Sequence, residues 1–221
     1  MRSPPYYASK PPTFAVHISA GFVSCSGGTI PRMCLFTDPA ARLVCAGPEE
    51  ALREIARALA TFGEPALRYA AERNVRIVPL EPAQRYCDAS AALRRLAVDV
   101  DAWPIPPAGL FVVEERTVYL RSASPMTVAH EFGHALDCAL GGGVYRSGYD
   151  RTVRKAFASA RRFVTPYAAT GLDEYFAEAL RAYVEVNDPA SPWPKATNAR
   201  LAEFDPAIHA FVQELFATDL R

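Results

Sequence analysis

Residues 128–137 read VAHEFGHALD and place His130 and His134 four positions apart, with Glu131 between them. On a helix, positions i and i+4 share a face, so two imidazoles at this spacing can hold one zinc ion. Glu131 sits about 100° further round, where it reaches a water beside the ion more easily than the ion itself; that is the place for a general base. A catalytic zinc usually takes three protein ligands and keeps a fourth position for water. The third ligand must therefore come from outside this stretch.

The remaining histidines, His17 and His209, read as surface or core residues without a metal role. A third histidine six positions after His134 is excluded, because that position is Leu140. The stretch TGLDEYFAEALRAY (170–183) instead offers Asp173, Glu174 and Glu178. Glu174 and Glu178 lie one helical turn apart and share a face. One can bind metal while the other holds the second ring nitrogen of a ligating histidine. Asp173 points about 100° aside and suits the helix N-terminus. Asp137, seven positions after His130, falls on the histidine face; it is read as support behind a ligand, with a fourth-ligand role as the alternative. On residue types and spacing alone, Glu174 and Glu178 both remain open as the ligand.

The surrounding sequence supplies the elements that would position these groups. Ser124 and Pro125 are an N-cap and first-turn pair, and Gly141-Gly142-Gly143 ends the pattern, so a helix is expected over 124–140. Two β-rich runs, 110–113 and 117–121, flank Glu114-Glu115-Arg116 and predict a hairpin leading into that helix. Further helices are expected over 48–62, 66–74, 89–100, 151–163, 173–186 and 206–217, and strands over 43–47 and 75–80. Residues 103–109 read as a stiff connector, and residues 1–13, with four prolines, as a flexible tail. Residues 14–221 then form a single domain. A small sheet followed mostly by helices is an α+β arrangement. Gly133 costs up to about 1 kcal/mol inside a helix, which points to close packing of another segment there.

Bulk properties narrow the function by exclusion. Lys plus Arg and Asp plus Glu each number 24, so no net field draws the chain to nucleic acid. No apolar run reaches the roughly 18 residues of a membrane span. Five cysteines without a C-x-x-C pair predict reduced thiols and slightly favour a cytoplasmic setting. Cys138 reads as a small buried residue. The N-terminal run ending before Cys25 leaves secretion or lipoprotein export as the alternative, against which His17 and the early prolines count. Neither oligomeric state nor substrate identity is legible.

VAHEFGHALD followed by DEYFAEAL resembles the lethal-factor-like zinc peptidases, the group that contains the catalytic domain of anthrax lethal factor and the Pro-Pro endopeptidases. The resemblance covers about 109–217, including the hairpin and the P-x-x-x-x-F-V run at 206–212. It implies a zincin-like, gluzincin fold and one Zn2+ per chain held by His130, His134 and Glu174. It further implies Glu178 behind the ligands, Glu131 as general base and Tyr167 as oxyanion stabiliser, with Tyr145 or Tyr149 as alternatives. The implied activity is endopeptidase cleavage of an extended peptide or protein substrate paired with an edge strand, for which TVYLR (117–121) is the candidate. Gly141 to Asp150 suits either a flap over that cleft or an ordinary loop. HEFGHAL also resembles the ImmA/IrrE-type regulatory peptidases, whose glutamate lies nearer the zinc helix than the forty residues separating His134 and Glu174. A non-enzymatic module with a structural zinc is the third reading.

Overall fold

The computed structural model describes residues 39–192 and 194–220. In chain order these form α1 (Pro39–Leu43), α2 (Glu49–Ala60), α3 (Gly63–Glu72), β1 (Arg76–Pro79), α4 (Tyr86–Ala89), α5 (Ala91–Leu96), β2 (Gly109–Val112) and β3 (Thr117–Leu120). Then follow α6 (Pro125–Leu140), α7 (Arg151–Ser159), α8 (Leu172–Tyr183), α9 (Asn198–Phe204) and α10 (Pro206–Ala217). The result is the expected mixed α+β arrangement with a small sheet. The tail, His17 and the export reading around Cys25 lie outside the described residues.

Several boundaries differ from expectation for local reasons. Leu43 ends α1, and only Val44 bridges to Ile77, so 43–47 is not a strand of its own. Pro65 belongs to the first turn of α3, where its missing N–H is not needed, so it helps to start the helix. Residues 89–100 yield only the short α5, because Ser90 caps it and Ala97 turns left-handed at φ 53°. The unforeseen α9 begins at Thr197, whose side chain accepts from the Arg200 N–H.

The sheet has strand order β1-β3-β2, with β1 parallel and β2 antiparallel to β3. TVYLR is therefore not an edge: β3 is the central strand, and all four of its residues are buried. Alternate side chains serve two cores, as period-2 geometry requires. Phe111, Val118 and Leu120 enter the main core beneath α6, whereas Val112 and Tyr119 join Tyr86, Leu93 and Val100 on the other face.

The two true edges are not equivalent. Leu80 N–H donates to Leu120 O and Arg76 N–H to Arg116 O, so Ile77 and Pro79 direct their backbone away from β3. The Ile77 carbonyl accepts from Cys45 N–H at 2.9 Å, and Pro79 has no N–H to offer. That edge is blunted. On β2, Ala108 O accepts from Arg121 N–H. Ladder alternation then turns Leu110 and Val112 toward β3, and Gly109 and Phe111 outward.

α6 runs between the sheet and α8, and every residue from Val128 to Ala139 is buried. Its start follows the sequence closely: Pro125 occupies the first turn and the Ser124 hydroxyl accepts from Thr127 N–H. Gly133 lies where α8 crosses. A Cβ there would stand 3.0 Å from Ala177 Cα and 3.1 Å from Ala177 O, so glycine permits backbone-level contact. Gly133→Ala gains up to about 1 kcal/mol of helix propensity. Overpacking against an immovable backbone costs about 1–3 kcal/mol, so a net loss of stability is expected. Denaturant unfolding of the variant checks this, and an unchanged or raised midpoint would contradict the crossing.

Candidate metal and catalytic site

The α6–α8 crossing brings together residues forty positions apart in sequence. His130 Nε2 and His134 Nε2 lie 3.1 Å from each other. Glu174 Oε2 lies 3.0 Å from the first and 3.3 Å from the second. Despite these distances, Glu174 Oε2 is buried without a hydrogen bond. Three donor atoms thus converge on one point, where the two imidazole nitrogens meet each other and the carboxylate oxygen is left unbonded among the described residues. Ligands about 2.0–2.1 Å from a tetrahedral zinc stand about 3.3 Å apart, so the trio's spacing and the unbonded Glu174 Oε2 fit a zinc ion. Among the described residues the group has three members, leaving room for a further ligand.

Electrostatics favour a cation at the same point. Burial lowers the basicity of His130, but the carboxylates of Glu174 and Glu178 beside it outweigh this and lift the imidazole to about 10. Burial would raise the Glu174 and Glu178 carboxyls, yet the histidines, with Arg181 beside Glu178, hold both far below the usual carboxylate range. Four titratable side chains on one buried helix are costly unless partnered or functional.

His130 Nδ1 is 2.9 Å from Glu178 Oε1, so Glu178 stands behind a histidine, while Glu174 faces both histidines from the site side. Asp173 has no place in the trio. Asp137 is on α6 but turns to Ser147, accepting from its N–H at 2.9 Å and its hydroxyl at 2.5 Å. These bonds anchor the Gly141–Asp150 segment to α6 at Ser147. His134 Nδ1 has no hydrogen-bond partner among the described residues. His209 sits away from the trio, with Nε2 2.9 Å from Asn198 Oδ1. Cys138 is buried as expected, and burial pushes its thiol up to about 11.

Glu131 lies where α6 meets the open edge of the sheet. Burial raises its carboxyl above the ordinary range, opposed by His130, His134 and the Phe111 N–H. A Cβ on Gly109 would come within 2.6 Å of Glu131 Cγ, so only glycine lets β2 run this close. Tyr167 packs its ring 5.3 Å from His130 and donates its hydroxyl to Glu174 Oε1 at 3.2 Å. Tyr145 packs 5.7 Å from His134 and 6.3 Å from Phe111, whereas Tyr149 is largely exposed. Sequence reading missed Gly109, Ser147, Thr165 and Arg181. Only Gly109 left a signal, a glycine opening a strand beside the zinc helix.

No family model matches the chain, and no curated protein matches it in sequence. Among solved structures, the chain is similar to the Pro-Pro endopeptidase PPEP-2 from Paenibacillus alvei, with a TM-score of 0.58 and 18% identity. The match covers 80% of this chain and 99% of that one. The likeness in fold therefore reaches well beyond 109–217 into the first half, where no sequence motif pointed to it.

The buried Asp137 carboxyl gives a pH-dependent prediction. Burial raises it to about 6, and the Ser147 bonds only partly oppose this. A carboxyl whose pKa is raised on folding contributes stability at pH below its ordinary pKa and loses it as pH rises through about 6. The wild type should therefore lose up to roughly 3 kcal/mol more than Asp137→Asn between about pH 4 and 7. Unfolding midpoints of both proteins across that range test it; parallel curves would refute it.

Proposed function

We propose that the chain is a zinc-dependent endopeptidase of the lethal-factor-like group, with His130, His134 and Glu174 as ligands. The observation that carries this reading is the convergence of His130 Nε2, His134 Nε2 and the unbonded Glu174 Oε2 next to Glu131, beside the sheet edge that stays open among the described residues. When bound there, zinc supplies Lewis-acid polarisation of the scissile carbonyl and lowers the pKa of a neighbouring water. Glu131 is the base: it takes the proton of the attacking water and passes it to the leaving amine. Its raised pKa suits a group that must both accept and release a proton near neutrality. The Tyr167 hydroxyl, already at the ligand side of Glu174, donates to the oxyanion as charge develops.

The substrate is an extended peptide that adds to β2, where Gly109 and Phe111 turn their backbone outward. Cleavage between consecutive prolines, named for the structural neighbour, is required by no residue here. Peptides with two adjacent prolines are therefore one arm of a library.

The test is cleavage of that library with and without chelator, together with metal analysis of four proteins. Wild type is expected to hold one zinc and to lose activity on chelation, regaining it with zinc. Glu174→Ala should lose most of the metal. Glu131→Gln should keep the metal and lose nearly all turnover. Tyr167→Phe should keep both metal and KM while kcat falls about 10²–10³, the range for one oxyanion donor. Full metal content in Glu174→Ala, or a Glu131→Gln enzyme as active as wild type, would overturn the reading.

Edge-strand binding makes a second, fold-independent prediction. Successive residues of a bound strand direct their N–H groups alternately at β2 and at solvent. Single N-methylation along a cleaved peptide should therefore suppress cleavage at every second position and be tolerated between them. Uniform tolerance would remove β2 as the docking edge.

A further inference from the structure

The Glu178 carboxylate accepts four hydrogen bonds on its two oxygens. Oε1 receives Arg181 Nε at 2.8 Å and stands 2.9 Å from His130 Nδ1. Oε2 receives Arg181 Nη2 at 2.8 Å and the Thr165 hydroxyl at 2.5 Å. A carboxylate offers about four lone-pair sites, so this one is saturated. Arg181 is itself 3% exposed, and its remaining donors reach outward to Val186 O at 2.8 Å and Asn187 Oδ1 at 3.3 Å. Thr165 is also tied down, since its hydroxyl accepts from Ala168 N–H. His134 has no counterpart to this arrangement: its Nδ1 is unpartnered.

We infer that Arg181 and Thr165 are positioning residues that fix Glu178, and through it the tautomer and orientation of His130. The chain of causes is short. Arginine is always protonated, and a buried guanidinium bonded to both oxygens keeps Glu178 an acceptor only. His130 Nδ1 must then be a donor, so in the neutral imidazole it is the Nε2 lone pair that faces His134 and Glu174. The Thr165 hydroxyl fills the last site on Oε2 and fixes the carboxylate's rotation. The two histidines are thus unequal: among the described residues only His130 is held from behind by a carboxylate. This rests on the zinc reading above but concerns residues that reading does not use.

The experiment compares Thr165→Val, which keeps shape but loses the hydroxyl, with Thr165→Ser, which restores it, and with Arg181→Lys. Zinc affinity of each full-length protein is measured by competition with a chromogenic chelator. The absorption spectrum of the Co(II)-loaded protein is recorded, and melting of the metal-free protein reports folding. Thr165→Val is expected to bind zinc about 10-fold more weakly or worse, within the range for lost support behind a ligand, and to shift the cobalt bands. Thr165→Ser should restore both. Arg181→Lys, with one ammonium in place of a fork, should fall between them if it folds. A folded Thr165→Val protein with wild-type affinity and spectrum overturns the positioning role while leaving the peptidase reading intact. Equal losses in Thr165→Val and Thr165→Ser overturn it as well. A wild-type chain that takes up no metal removes both.

Discussion

The close crossing of α6 and α8 at Gly133 and Ala177 is the constraint on which the site depends. With α8 one side-chain layer further out, neither Glu174 nor Glu178 would touch the histidines. A glycine in the middle of a long buried helix is locally unfavourable. Here it permits contact between a residue of α6 and the backbone of α8. Gly109 does the same on the opposite side, where the edge of β2 comes within contact of the Glu131 side chain. Helix α6 is thus approached closely on both flanks at positions that lack a Cβ.

A helix buried on every side cannot carry charged side chains without partners, and each polar group on α6 meets a different solution. His130 is bound from behind by Glu178, itself pinned by Arg181 and Thr165. Asp137 takes the backbone and hydroxyl of Ser147, which also tethers the glycine-rich loop that ends the helix. Glu131 faces the Phe111 N–H at the open strand edge. What stays unsatisfied is the inner face, where Glu174 Oε2 finds no hydrogen bond. An unbonded carboxylate oxygen facing two imidazoles, with partnered groups behind it, is the kind of site a metal ion could occupy.

The sheet shows how strand order decides which edge is left exposed. A three-stranded sheet has two edges, and the chain disables one of them with a bridge from Val44, a hydrogen bond from Cys45 and a proline at the outward-facing position. Among the described residues the remaining edge is the one beside Glu131, and with β1 blunted it is the side on which a further strand could add.

The sequence by itself determined what depends on local chemistry. The spacing of His130 and His134, the Ser124-Pro125 start, the glycine stop and the acids one turn apart on the second helix all follow from helical period and capping, which need no distant partner. The hairpin was equally legible, since turn residues and β-branched runs act within a dozen positions. Tertiary structure decided everything that turns on which surfaces meet. Strand order placed TVYLR, expected at the edge, in the centre of the sheet, because spacing cannot say which neighbour lies on each side of a strand. Asp137 has the right helical phase to serve a histidine and is instead bound by Ser147, because the loop after the helix folds back over it. Arg181 and Thr165 were invisible because neither residue type nor spacing marks them, and their role exists only once α8 and the preceding loop surround Glu178. Period and capping are properties of a segment; ligand geometry and edge exposure are properties of contacts between segments, and only the folded chain fixes those.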